Sequence, residues 1–252
     1  MKEKICTLMY HDVYQNSKSE SGINSDSAQS YKVTSKQFER QIKACREYID
    51  KNHLDESKLR LSFDDGGVSS ITVIAPTLEK YGFKGYFFVA TSYLNTNGFL
   101  TDNQVIELED RGHVIGSHSH SHRQMMSSLS DEELFADWKK SLDYLSKLLK
   151  HSISIASLPN GYSSSAMLDV LKELGIKEVY TSSPTDVVKQ RNCQQLYGRF
   201  GIKDGMDDNA VLRIAFNPFA KAVIKIRKTV LNGAKVILGG QYIKIREKMY
   251  KH

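Results

Sequence analysis

Strand-like and helix-like segments alternate through most of this chain, and that alternation limits the folds open to it. Short apolar runs at 5–9, 59–63, 85–90, 113–117, 153–158, 178–182 and 196–202 read as buried strands. Between them lie segments of helical periodicity at 35–50, 69–81, 102–111, 131–150 and 164–174. Thr34 with Gln37, Thr101 with Gln104 and Ser130 with Glu133 are capping boxes that mark helix starts. Gly82, Gly112 and Gly175 mark helix ends, where the chain turns left-handed. Strand and helix in repeated alternation predict a parallel sheet covered by helices. Seven such strands suit an irregular α/β barrel, with an open doubly wound sheet as the alternative.

The length of 252 residues suits one large α/β domain or two small ones. The first residues carry no apolar core of a secretory signal, and no stretch is long and apolar enough to span a bilayer. Cys6, Cys45 and Cys193 are an odd, widely spaced set and read as free thiols of a reducing compartment. The expected location is therefore cytoplasmic. The net charge of +6 is concentrated at one end. Residues 213–252 hold ten Lys/Arg and one acid, Glu247, so residues 1–212 are mildly acidic.

The strand ends carry the chemistry. Leu-Ser-Phe-Asp-Asp-Gly-Gly (61–67) places Asp64 and Asp65 after one strand, and Gly-Ser-His-Ser-His-Ser-His (116–122) places His118 and His122 after another. Catalytic groups of parallel α/β folds gather at the carboxyl ends of strands. His11 with Asp12, and Pro159-Asn160-Gly161, also follow strands, so four strand ends converge on one rim. One carboxylate and two imidazoles make a divalent metal site with open positions, and a second carboxylate beside it suits a general base. In an extended segment the side chains of Asp64 and Asp65 diverge, which fits them for different tasks. His118 and His122 share a face if the chain turns helically after the strand. His120 then points elsewhere, and His113 reads as structural. The bland alternatives are an Asp pair capping the next helix, an incidental polar loop, and a structural hydrogen-bonding role for His11.

These residues resemble the motifs of the polysaccharide deacetylases, carbohydrate esterase family 4, with NodB homology. The first motif appears as Ser62-Phe63-Asp64-Asp65-Gly66, the second as His118-Ser119-His120-Ser121-His122, and the third as Ser157-Leu158-Pro159-Asn160-Gly161. The opening Met9-Tyr10-His11-Asp12 resembles the biofilm poly-N-acetylglucosamine deacetylase branch. The resemblance implies a deformed (β/α) barrel of about seven parallel strands. It implies Asp64 as catalytic base and Asp65, His118 and His122 as ligands of a divalent metal, zinc by preference. It further implies His11 as general acid and Asn160 and Gly161 as oxyanion or substrate contacts. The third motif's usual Arg is Ser157 here, and Arg199 is the candidate to replace it beside the base.

The implied activity is removal of N-acetyl groups from a sugar in a polysaccharide or glycan precursor. Hydrolysis of a non-glycan amide and a catalytically inactive glycan-binding barrel are the alternatives. The expected division is a catalytic domain at 1–208 and a basic amphipathic helical tail at 209–252. In the tail, Val223, Ile226, Val230 and Ala234 recur at helical spacing among Lys and Arg, and a last helix is expected at 242–250. Such a helix either packs on the barrel or lies on an anionic membrane, peripheral at its inner face. No nucleic-acid-binding motif is present in it.

Overall fold

The structure is a computed structural model and describes residues 2–123, 126, 129–161 and 163–238, with side chains to residue 230. The chain opens with β1 (Cys6–Tyr10), β2 (Asp12–Tyr14), α1 (Asp26–Gln29), β3 (Lys32–Thr34) and α2 (Ser35–Asn52). Three strand–helix units follow: β4 (Leu59–Phe63) with α3 (Ala75–Lys80), β5 (Gly85–Val89) with α4 (Asp102–Asp110), and β6 (Val114–Ser117) with α5 (Asp131–Leu149). Then come β7 (Ile155–Ser157), α6 (Ser165–Glu173), β8 (Glu178–Tyr180), β9 (Lys189–Arg191), β10 (Gln194–Tyr197) and β11 (Phe200–Gly201). Helices α7 (Asp208–Phe216) and α8 (Pro218–Leu238) complete the described chain.

Among the described residues one 9-stranded sheet runs β11-β1-β4-β5-β6-β7-β8-β10-β9, all parallel except the β9–β10 pair. One end strand, β11, is joined by the chain itself to β10, which lies beside the other end strand, β9. β10 pairs with β8 and β11 pairs with β1, and only Gly198 and Arg199 separate them. The sheet therefore curls into the deformed barrel that the alternation implied. The single strand expected at 196–202 is broken because the chain changes partners there. A Cβ on Gly198 would lie 2.5 Å or less from the carbonyl oxygens of Thr185 and Ser183, so only glycine fits at this crossing. The sequence pattern also missed β9, whose Lys-Gln-Arg is exposed, and the short β2–β3 pair.

Alternation along the strands sorts side chains into two cores. Leu61, Phe63, Phe87, Val89 and Ile115 face the helices in the larger core. Ile5, Phe88, Ile155, Tyr180 and Tyr197 fill the barrel interior. The helices seat by the expected caps. Ser130 with Glu133 and Thr101 with Gln104 form reciprocal boxes. Thr34 accepts the Gln37 N–H, but the Gln37 amide is spent on the carbonyls of Lys203 and Met206 instead. The helix expected at 69–81 begins as a π-helical turn, Ser70–Ile74.

The boundary expected at 208 falls at the start of α7, which belongs to the body. Val211, Ile214 and Ala215 are buried in the larger core. Helix α8 is the amphipathic element. Ile224 packs against the core, whereas Phe219, Val223, Ile226 and Val230 form an exposed stripe. The expected helix at 242–250 and the side chain of residue 234 lie outside the described residues. No described helix is long and apolar enough to cross a membrane.

Candidate active site

The inward parity of β4 carries Arg60 and Ser62 into the barrel and brings Asp64 to its carboxyl end. There the extended chain stops. Asp65 adopts φ +78° and Gly66 φ +83°, a left-handed pair that turns the backbone sharply. This overrides the divergence expected of adjacent carboxylates. Both approach His118, whose Nε2 lies 3.8 Å from Asp64 Oδ2 and 3.4 Å from Asp65 Oδ1. His122 is delivered by a compact turn rather than a helix. Ser119 has φ +65° and His122 φ +47°, and Ser119 Oγ accepts the His122 N–H. His122 Nε2 then stands 3.2 Å from Asp65 Oδ1. Non-glycine residues held left-handed are a form of strain found at functional sites.

Asp65, His118 and His122 are the described group whose ligand atoms converge, all within 4.8 Å of one another. Two observations show that they fit a metal. Asp65 Oδ1 is buried and makes no hydrogen bond, although two imidazole nitrogens flank it. Donors about 2.0–2.1 Å from a tetrahedral zinc stand roughly 3.3 Å apart, which matches the two separations. His118 Nδ1 lies 2.8 Å from the Ser157 carbonyl. Donation there leaves Nε2 with its lone pair toward the site, the arrangement of a ligating histidine. Burial alone would raise the Asp65 carboxyl, but His118 and His122 outweigh it and hold it well below the usual carboxylate range.

Asp64 is held differently. Arg199 Nη1 is 2.6 Å from Asp64 Oδ1, and Ser157 Oγ donates to Oδ2 at 3.2 Å. Both partners of the ion pair are fully buried. Burial would push the Asp64 carboxyl up, yet Arg199 and then His118 hold it below its ordinary value. Arg199 thus faces Asp64 from the β10–β11 crossing.

His11 lines the same cavity, its ring 4.6 Å from that of Tyr31, with a buried Nδ1 that has no partner among the described residues. Asn160 (φ +55°) and Gly161 line the cavity as well. His120 turns away, with Nδ1 2.9 Å from Thr91 Oγ1, and His113 lies below the rim against Gly85 and Glu79. The cavity measures about 720 Å³, within the ~300–1,000 Å³ usual for ligand pockets.

Several supports were invisible in the sequence. Asp137 of α5 accepts the N–H groups of His120 and Ser121, fixing the histidine turn. Asp12 is buried and accepts hydroxyls from Ser21 at 2.6 Å and Ser69 at 2.9 Å. Burial pushes its carboxyl up against the Ser21 hydrogen bond. Buried Lys32 donates to the carbonyls of Lys18 and Ser21 and to Asn24 Oδ1. Together they clamp segment 15–31 over the barrel mouth. The serines and asparagines of that segment are its one mark in the sequence, and they name no partner for Asp12 or Lys32.

Residues 51–179 match the family model for polysaccharide deacetylase, and the chain belongs to that family. Among curated proteins it is similar to YxkH of Bacillus subtilis, 25% identical over 157 residues, 62% of this chain and 55% of YxkH. It is also similar to the poly-beta-1,6-N-acetyl-D-glucosamine N-deacetylase of Staphylococcus aureus, 22% identical over 195 residues and 67% of each chain. The chain thus spans about half the length of YxkH. Among solved structures, the Streptococcus pyogenes deacetylase PplD shares the fold at a TM-score of 0.68 and 22% identity, over 85% of this chain and 99% of PplD.

Proposed function

We propose that this protein is a metal-dependent hydrolase that removes N-acetyl groups from the sugars of a glycan. The observation that carries this reading is the convergence of Asp65, His118 and His122 beside an Arg199-held Asp64 on the floor of one cavity. A divalent cation on that trio, zinc by its nitrogen and oxygen donors, supplies Lewis-acid polarisation of the acetyl carbonyl and lowers the pKa of a water. Asp64 accepts a proton from the attacking water. Arg199 and Ser157 fix the carboxylate so that one oxygen edge faces the site. The backbone N–H near Asn160 stabilises the oxyanion that develops at the carbonyl. His11 gives a proton to the departing amine, and acetate and a free amino sugar result. The S. aureus relative, whose name states N-deacetylation of poly-N-acetylglucosamine, supports the substrate class.

The test is acetate release from N-acetylglucosamine oligomers after chelation and after restoring zinc. Release that disappears on chelation and returns with metal is expected. Fully restored enzyme that frees no acetate from any N-acetylated glycan overturns the reading.

The exposed stripe Phe219, Val223, Ile226 and Val230 among basic residues supports a second element, peripheral docking on an anionic membrane. Replacing Phe219 and Ile226 by Ser should then weaken salt-sensitive binding to phosphatidylglycerol vesicles. Equal binding by the variant overturns it.

A further inference from the structure

Helix α8 forms one wall of the cavity, and what it presents there is basic. Ile224, Arg227 and Lys228 of α8 line the cavity, and Lys203 of the β11–α7 connection lines it as well. The carboxylates in the lining are Asp64 and Asp65 alone, both on the floor. The rim above them therefore offers three cations and no acidic side chain among the described residues.

The wall is fixed in place. Lys221 Nζ meets Asp186 Oδ2 at 3.0 Å with both side chains largely buried, and Lys228 Nζ donates to the Ser182 carbonyl. These contacts, with Ile224 packed against the core, pin α8 to the segment that follows β8. Lys203 Nζ sits 5.0 Å from the centroid of the Tyr31 ring, which lines the same cavity and steadies it there. Arg227 stands exposed and lines the cavity, one helical turn from Val223 at the border of the Phe219–Val230 stripe. Its fork of donors suits a bidentate oxyanion.

We infer that the rim formed by Arg227, Lys228 and Lys203 binds an anionic group, a phosphate or a carboxylate, carried by the glycan next to the N-acetyl sugar being hydrolysed. The inference rests on the deacetylase reading and narrows it to a charged glycan. A neutral oligomer can enter the cavity but leaves the rim hydrated and unused. An anionic one exchanges that hydration for charge-assisted hydrogen bonds at a fixed distance from the scissile amide.

The test compares three N-acetylglucosamine tetramers: neutral, bearing a phosphodiester, and bearing a carboxylate. Each is measured with the zinc-loaded full chain, Arg227→Gln, Lys203→Gln and the control Lys58→Gln. Lys58 is exposed just before β4, at the opposite end of the barrel. The wild type should favour a charged tetramer through KM. Arg227→Gln should raise that KM about tenfold, leaving kcat and the neutral tetramer unchanged. Lys203→Gln should act in the same direction, and Lys58→Gln should not act at all. The charged tetramer that shows the effect identifies the anion. Equal kcat/KM on all three tetramers, or an Arg227→Gln loss shared by the neutral one, overturns the inference while leaving the deacetylase reading standing. Acetate release from none of the three fails the deacetylase reading itself, and this inference falls with it.

Discussion

Two arginine–carboxylate pairs lie inside this barrel, one toward each end, and they have opposite fates. Toward the amino ends of the strands, Arg60 Nη1 meets Glu178 Oε2 at 2.7 Å and also bonds the Tyr180 hydroxyl. Tyr86, Tyr180 and Tyr197 surround its guanidinium with ring centroids at 5.0, 5.9 and 4.4 Å. The Tyr180 hydroxyl donates to Glu178 as well, so the cluster satisfies itself and plugs the barrel. Toward the carboxyl ends, Arg199 meets Asp64 at 2.6 Å, yet its Nη2, Asp65 Oδ1 and His11 Nδ1 have no hydrogen-bond partner among the described residues. The chemistry of the pairs is the same. What differs is whether neighbours complete the polar groups or leave them facing a cavity, and buried groups left incomplete call for a ligand.

The strongest way to break the comparison is at the mouth. Asp65→Ala or His118→Ala should remove bound metal, because three protein ligands become two. Activity should fall by at least ~10³-fold. Elemental analysis of the purified variants checks this, and full metal stoichiometry in His118→Ala would contradict the ligand assignment. Asp64→Asn should come next. It keeps the metal and the fold but loses on the order of 10²–10⁴ in kcat, the usual contribution of a general base. A near-wild-type rate would move the base elsewhere.

The plug should answer in stability instead. Arg60→Met leaves Glu178 without its cation and should reduce unfolding free energy by about 2 kcal/mol. Denaturant titration measures the loss, while kcat per folded molecule stays at the wild-type value. A fall in kcat without loss of stability would mean that the two ends are coupled.

The smallest effect concerns His113, below the rim. Its Nδ1 accepts the Gly85 N–H at 3.0 Å, and its Nε2 faces Glu79 at 3.0 Å. The ring is therefore neutral in the folded state, and burial holds its pKa below the ordinary value despite Glu79. Above about pH 6.5 neither state protonates it, and its full contribution is present. As pH falls through that value the unfolded chain takes up a proton that the folded chain resists, so stability declines toward the lower folded pKa. His113→Gln should flatten this part of a stability–pH curve, and an unchanged slope would assign it to another group.

Much of the scaffold was legible without tertiary information. Strand 59–63 and the helix starts at Thr34, Thr101 and Ser130 depend on neighbours within a turn, so apolar period and capping chemistry report them directly. The Asp64-Asp65 and His118/His122 clusters are local as well, and their placement at strand ends follows from parallel topology. The chain's own residues thus determined the fold class, the carboxylate and imidazole types of the candidate metal site and the rim where they gather. Tertiary structure decided the rest. Arg199 and Asp64 are 135 positions apart, and Gly198 brings them together only because the sheet closes there. Lys32 is polar in any sequence window, and its burial follows from carbonyls supplied by a folded-back loop. Arg60 lies within β4 and Arg199 just before β11; barrel register makes one a plug and the other the partner of Asp64. Local pattern sets the backbone and the side-chain alternation, but the partner of a buried charge is chosen by whatever closure places across the barrel, and that choice has no local signature.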